Sequence, residues 1–452
     1  LDPTVFVAGP LTADSNGNIY YNVVKTDIAV ATPPARAAVQ DGWLVKVSSS
    51  GAVSKVKYAD LMAPANPPTS CLTSFEPQFV PALGMVVPGE SPPWPPSPTS
   101  TPRSFPCGEQ RPGLNIAPAI GADGTIYTGS RANNNSRFAY LVAVNPDLTL
   151  KWAASLRDRG INDGCGVLIP LATAGNPVQK GKCSFDAKIG VDPATNEMPA
   201  GRIIDSGTAS PTILPDGNVL FGAYTRYNIA RGHLFKFSSS GQFQGSFDFG
   251  WDDTLAVVPG QDNDFSIVMK DNHYDEEAGF YCNPNPAFPT NSSIVCDSTG
   301  IPAGPFYITQ VNKDLQPQWK FQSTEVRSCH RNADGSVTCV NDGTHPNGFE
   351  WCINAPAIDG DGNVYVESED GFVYVIDQGH SGVFTTPKSR LFTNLAVGAA
   401  YTPFSIDQAG RLYAQNNGHL FVLGQGGGDV NQNDQHNASH TVGHFDPESS
   451  QD

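Results

Sequence analysis

The fold is decided by Pro356-Ala-Ile-Asp-Gly-Asp-Gly-Asn-Val-Tyr365, because the same phrase returns four more times along the chain. It reappears as Pro10-LTADSNGNIY, Pro118-AIGADGTIY, Pro211-TILPDGNVL and Pro403-FSIDQAGRLY, with Gly17, Gly124, Gly217, Gly362 and Gly410 each three residues before Tyr20, Tyr127, Leu220, Tyr365 and Tyr413. A proline, a short apolar stretch, a turn closing on glycine and an apolar pair spell two antiparallel strands and a tight hairpin. Asp or Asn accepts backbone hydrogen bonds in such a turn, and glycine takes the left-handed position.

A second phrase follows each first one. It reads WLVKVSSSGAVSKVKY from Trp43, YLVAVNPDLTLKW from Tyr140, HLFKFSSSGQFQGSF from His233, FYITQVNKDLQPQWKF from Phe306, FVYVIDQGHSGVF from Phe372 and HLFVLG from His419. Period-two alternation, a turn and a further strand mark another hairpin. Two hairpins make a four-stranded unit, and a radial repeat of such units is a β-propeller. The units run about 10–60, 115–157, 207–250, 255–324, 352–390 and 398–424. The fourth has a degraded first half near Val257–Met269, and the last lacks an outer strand. Val5-Phe-Val-Ala8 is read as the strand that completes it and closes the ring. The expected fold is therefore all-β: a propeller of six to seven, at most eight, four-stranded antiparallel blades with long disulfide-pinned loops.

The strings Ala117–Tyr127, Leu141–Trp152, Ala355–Tyr365 and Phe372–Asp377 resemble PQQ-like repeats, the quinoprotein-type propeller superfamily. The resemblance covers most of 10–424 and implies the fold. It says little about activity, since that superfamily holds quinone-dependent dehydrogenases and cofactor-free scaffolds alike. In PQQ-like repeats the tryptophan at the place of Trp152 and Trp319 packs between blades. Neither the adjacent Cys-Cys pair nor the metal-binding set of a methanol-type dehydrogenase is recognisable, so bound PQQ is not expected.

One propeller domain over 1–424 is expected, interrupted by a Pro-rich insertion at 64–112 and by loop insertions at 158–206, 270–304 and 325–351. A flexible polar tail fills 425–452. Residues 64–112 hold 14 of the 38 prolines and read as an extended excursion, with a divergent seventh blade around Glu76–Val87 as the alternative. Long loops on one face are where a partner site would be built.

Composition narrows the function. The 452 residues carry 27 Lys+Arg against 44 Asp+Glu, a formal charge of −17, which argues against nucleic acid and anionic lipid as partners. No run approaches the length of a membrane span, so no transmembrane segment is expected. Nine cysteines include no CxxC and no adjacent pair. Neighbour pairing would join Cys71 to Cys107, Cys165 to Cys183, Cys282 to Cys296 and Cys329 to Cys339, leaving Cys352 unassigned. That many disulfides point to a secreted, extracellular or periplasmic protein. The start at Leu1 fits a processed chain. Sequons at Asn134, Asn291 and Asn437 are about as many as chance supplies.

Candidate chemistry is sparse. Asp359-x-Asp361-x-Asn363 has the look of a hard-cation loop, which would make Ca²⁺ the one conceivable ion. It lacks the closing acid of an EF-hand, however, and its turn recurs elsewhere without a metal-like spacing. Asp271-Asn-His273-Tyr274-Asp275-Glu276-Glu277 packs a His/Tyr acid–base pair beside carboxylates that could bind metal. His330, between Cys329 and Arg331 and with His345 nearby, would suit an anion. His436, His440 and His444 repeat every four residues in a stretch of poor helix formers. Each has a plainer reading as turn, solvated loop or tail, and no GxSxG, Walker A, GxGxxG or HExxH motif is present. No cofactor is expected. The leading expectation is a binding or scaffold module offering its loop face to a protein, glycan or cell-surface partner. The alternatives are a metal-assisted hydrolase or lyase, and a quinone- or haem-linked redox component.

Overall fold

Alternating apolar side chains drive the chain into short antiparallel strands, each with one face to bury. The computed structural model describes residues 2–27, 38–72, 78–80, 85–87, 104–157, 201–205, 209–225, 231–261, 264–272, 305–351, 353–397 and 402–424. These fall into two compact units, one running to Thr254 and one from Leu255 onward. Among the described residues the only helices are Tyr58–Met62 and a 3₁₀ turn at Ala63–Ala65.

The first unit carries three repeat sheets. In the first, Ile19–Thr26 pairs with Val39–Val47 and Val39–Val47 with Val53–Lys57. The second joins Ile126–Ala132, Ala139–Val144 and Leu150–Ser155. The third joins Thr212–Ile213, Val219–Thr225, Arg231–Phe237 and Phe243–Asp248. In the first two sheets the leading strand is split. Val5–Val7 and Thr12–Ala13 both pair with Ile19–Thr26, and Gln110–Pro112 and Ala119–Ile120 both pair with Ile126–Ala132. This corrects the expectation for Val5-Phe-Val-Ala8. The segment lies in the first sheet, with Phe6 opposite Val24, rather than beside His419–Leu423. The physical reason is local: Gly9 and Pro10 interrupt the ladder, and the residues ahead of them resume it on the same neighbour.

Apolar faces fill the space between successive sheets of this unit. Tyr20, Leu44, Tyr58, Ile126 and Val142 form one core, and Leu141, Ala143, Phe221, Phe235 and Phe237 another. Each large side chain so buried contributes about 1.5–3 kcal/mol. A buried polar tie pins the first pair of sheets: the Tyr58 hydroxyl donates to Asn22 Oδ1 (2.8 Å) and lies 2.9 Å from Thr128 Oγ1. Trp152 packs against Tyr127 and donates its Nε1 to Ser239 O (2.9 Å), linking the second sheet to the third.

The second unit repeats the scheme. Ala256–Pro259, Phe265–Asp271, Tyr307–Asn312 and Pro317–Gln322 form one sheet, joined in parallel by Gly382–Phe384. Ala357–Ile358, Val364–Glu367, Phe372–Ile376 and Ser389–Phe392 form the next, and Ser405–Ile406, Leu412–Asn416 and His419–Leu423 the last. Trp319 is buried edge-on to Phe384, and Phe321, Trp351 and Tyr374 pack mutually. Buried Asn416 donates to Thr393 Oγ1 (2.7 Å) and Leu395 O (3.1 Å) and accepts from Leu395 N (3.2 Å), tying the last sheet to its predecessor.

Cys71–Cys107 and Cys329–Cys339 are disulfide-bonded, as neighbour pairing anticipates. Cys165, Cys183, Cys282, Cys296 and Cys352 lie outside the described residues, as does the tail with His436, His440 and His444. Within Glu76–Val87 the described residues form a two-stranded ribbon, Gln78–Val80 against Met85–Val87. Among the described residues no helix is long and apolar enough to cross a membrane.

Candidate functional site

The recurrent turn explains its own residues. Asp359 accepts hydrogen bonds from the backbone N–H of Asp361 and Asn363 (3.0 and 2.9 Å), from Asn363 Nδ2 (2.8 Å) and from the Tyr365 hydroxyl (2.8 Å). Asp14 does the same for Asn16, Asn18 and Tyr20, and Asp407 for Ala409, Arg411 and Tyr413. The glycine at each turn has φ between 74° and 82°, a conformation that costs a side chain. Tyrosine three places after the glycine is therefore a brace, reaching back to the aspartate that opens the turn. Burial pushes the Asp359 carboxyl up, but these donors outweigh it and hold it below the usual range. Asn363 Oδ1 accepts from Lys388 Nζ at 2.9 Å. Among the described residues no group of three or more His, Cys, Asp or Glu is arranged to hold a metal.

The other sequence candidates are dispersed. His330 is an exposed residue of Arg327–Arg331, a strand paired with Val337–Asn341 across the Cys329–Cys339 bridge. Its neighbour Arg331 spans Thr393 O, Phe392 O and Gly335 O (2.8–2.9 Å), a structural tie. His345 stacks on Phe349 and pairs with Asp342 at 3.1 Å. His273, Tyr274, Asp275, Glu276 and Glu277 lie outside the described residues. Asp271, ahead of them, is buried and takes Lys320 Nζ at 2.7 Å and Thr309 Oγ1 at 2.8 Å.

A constellation that sequence reading missed lies in the first unit. Arg111 of Gln110–Pro112 and Arg131 of Ile126–Ala132 are direct register partners, both buried. Like charges so placed repel. Asp205 offsets this: it takes Arg111 Nη1 and Nη2 on its two oxygens (2.9 and 2.5 Å) and Arg131 Nη1 at 3.2 Å. Burial alone would raise the Asp205 carboxyl, but the charges of Arg131 and Arg111 hold it far below its ordinary value. Burial lowers Arg131 to about 10. The Asp205 charge opposes that fall, while Arg111 and a third guanidinium, Arg202, add to it.

Arg202 leads into a cleft. Its backbone exchanges hydrogen bonds with Tyr224 (2.9 and 3.1 Å), and its guanidinium lies 5.8 Å from the centre of that ring. Trp251 meets Tyr224 edge-on at 4.8 Å. Gly232 leaves room for Trp251, because a Cβ there would collide with the indole. Left-handed backbone at Phe249 (φ 115°) and Asp252 (φ 57°) brackets Trp251, a strain that surrounding packing must hold in place. The cleft is a small recess of about 20 Å³, lined by Arg202, Tyr224, Trp251 and Asp252 over apolar walls that include Ile116 and Phe221. Trp251 Nε1 is buried with no hydrogen-bond acceptor among the described residues. An indole N–H set in apolar surroundings can hold an oxygen acceptor more strongly than water does.

Comparison with known proteins is reported on this footing. No family model matches the chain, and no curated protein matches it. Among solved structures it is similar to a protein of unknown function from Dyadobacter fermentans, 13 % identical over 82 % of this chain and 72 % of that one, with a TM-score of 0.31. It is also similar to the β-propeller domain of the Trilobed protease of Pyrococcus furiosus, 10 % identical over 93 % and 95 %, TM-score 0.31. A third similarity is to a gluconolactonase of Xanthomonas campestris, 11 % identical over 71 % and 74 %, TM-score 0.26. At these scores the likeness settles neither strand correspondence nor activity.

Proposed function

We propose that this chain is a propeller-type binding module working in an oxidising compartment, with the Arg202–Trp251 cleft as its ligand site. The repeat sheets supply the scaffold, and two disulfides suit secretion or the periplasm. One observation carries the reading. The repeated turn carboxylates are consumed in bracing hairpins, whereas Trp251 Nε1 in the cleft has no acceptor among the described residues and sits on a strained, tightly packed segment. A preformed concave site with a few convergent polar groups is what recognition requires.

The test is binding with site variants. The purified chain, probed with arrays of soluble glycans, peptides and small organic acids, is expected to retain ligands that Arg202→Ala and Trp251→Ala lose. Folding of the variants is checked by circular dichroism. Undiminished retention by both folded variants would place the site elsewhere.

A further inference from the structure

We infer that Asn417–Gly418 is a self-modification site: the Gly418 amide nitrogen attacks the side-chain amide of Asn417, and water converts the product to aspartyl and isoaspartyl forms. The reaction needs water alone. A bond forms between Gly418 N and Asn417 Cγ while the Cγ–Nδ2 bond breaks, and the Gly418 amide proton leaves with that nitrogen as ammonia. Water then opens the cyclic imide at either of its carbonyls. Opening at one gives aspartate. Opening at the other leaves the main chain running through Cβ and Cγ, one backbone atom longer.

Three Asn-Gly pairs occur in the chain, Asn16–Gly17, Asn347–Gly348 and Asn417–Gly418. Glycine has no side chain to shield the attacking nitrogen in any of them, so the structure must choose. Gly17 N–H donates to Asp14 O (3.0 Å) and Gly348 N–H to His345 O (3.2 Å). Gly348 is also hemmed in, since a Cβ there would stand 2.8 Å from Ser323 O. Asn417 and Gly418 differ on each count. They are the exposed central residues of the turn between Leu412–Asn416 and His419–Leu423, with left-handed φ of 51° and 75°. Among the described residues neither the Gly418 N–H nor the Asn417 side chain makes a hydrogen bond. Beyond the chain neighbours, no atom lies within 4 Å of where a Gly418 Cβ would sit.

The turn is also where a change is felt. Asn416, next in the chain, is buried, pairs with His419 in register and ties the last sheet to Thr393 and Leu395. An extra backbone atom in a two-residue turn breaks the match between Asn416 and His419, because loop length fixes hairpin register. Isoaspartate therefore withdraws Asn416 from Leu395, whereas aspartate, which keeps the length, leaves it in place.

Incubation of the whole purified chain in mildly alkaline buffer tests it, followed by peptide mapping with fragmentation that separates isoaspartate from aspartate. Asn417 is expected to convert roughly 2- to 10-fold faster than Asn16 or Asn347, the range that one hydrogen bond on the attacking N–H is worth. In urea, with the turns undone, the three rates should converge. Faster conversion at Asn16 or Asn347, an Asn417 that stays intact, or an order that survives in urea would overturn the site. Hydrogen exchange at the Leu395 N–H, which donates to Asn416 Oδ1, reads the consequence. Its protection is expected to fall in the isoaspartyl fraction and to persist in freshly prepared Asn417→Asp, which carries the charge without lengthening the chain. Equal protection in the two, whether kept or lost, would overturn the break at Asn416.

Discussion

Asp205 in the first unit is partly buried between arginines and Asp370 in the second is fully buried, and the protein meets their charges in opposite ways. Asp205 is met by two guanidiniums and stays ionised. Asp370 is fully buried in the turn before Phe372–Ile376, where it accepts from Phe372 N (2.8 Å) and the Tyr374 hydroxyl (2.5 Å). No cation touches it among the described residues. Arg390 reaches its neighbour Tyr374 and Glu325 instead. Burial therefore pushes the Asp370 carboxyl up to about 6, against its hydrogen bonds, with Glu325 adding to the rise. One buried acid is balanced by arginine and the other takes up a proton once pH falls through about 6, so acid should act on the two regions with opposite sign.

The harshest way to break this comparison is Asp205→Ala, which strands Arg111 and Arg131 face to face. Removal of one partner of a buried pair costs on the order of 3–5 kcal/mol, and denaturant unfolding at pH 7 should show a loss of that size. A loss below 1 kcal/mol would mean that water or other groups replace the carboxylate. At Asp370 the sign runs the other way. Its folded value lies above the ordinary 3.8, so its contribution is complete below about pH 4 and disappears as pH rises through about 6. The gap corresponds to roughly 3 kcal/mol at most. Unfolding curves at pH 5 and 7.5 should converge in Asp370→Asn. Retention of the full wild-type difference would assign the dependence to another group.

Glu325 sharpens the contrast inside the second unit. Burial raises it, but Arg327 and Arg390 outweigh that and bring it to about 2. Its contribution is complete above its ordinary value of 4.5 and is lost as pH falls toward 2, well below the window of Asp370. Because both arginines are partly exposed, Glu325→Gln should cost only about 1 kcal/mol, read as a change in the denaturation midpoint at pH 7. The smallest effects belong to the turn braces. Tyr365→Phe and Tyr413→Phe each remove one hydroxyl from an aspartate, for about 0.5–1 kcal/mol in thermal unfolding. Asp359→Ala should exceed Tyr365→Phe, since it strips four bonds from one turn.

The same contrast separates what sequence could and could not reveal. Most repeat hairpins were legible because their chemistry is local: Asp359 and Tyr365 are six residues apart, and a period of two shows which side chains turn inward. The Phe372 phrase was misjudged, since its Gly382–Phe384 joins Pro317–Gln322 in parallel and Phe372–Ile376 pairs with Ser389–Phe392 instead; an apolar tripeptide fits either sheet edge on pattern alone. The neighbour pairings of Cys71 with Cys107 and Cys329 with Cys339 were legible for the same local reason as the hairpins. The arginine cluster was not, because Arg111 and Asp205 are separated by 94 residues. Arg111 stands at the end of a Pro-rich excursion and Asp205 near the end of a loop insertion, so neither lies in the repeat. A weak signal existed in Arg131, a charge closing an otherwise inward-facing strand. The place of Val5–Val7 was misjudged because an unpaired apolar tripeptide fits two sheet edges equally well on pattern alone, and only register decides between them.

Asn416 carries a consequence for how the molecule comes into being. Its side chain bonds the Thr393 hydroxyl and the backbone of Leu395, yet it is translated more than twenty residues later. A nascent chain that has emerged only as far as Ile406 holds that earlier segment without its clamp. The penultimate sheet can thus reach its final rigidity only after the ribosome has released the last one, and a stop codon before residue 416 would leave two repeats, not one, open to proteolysis.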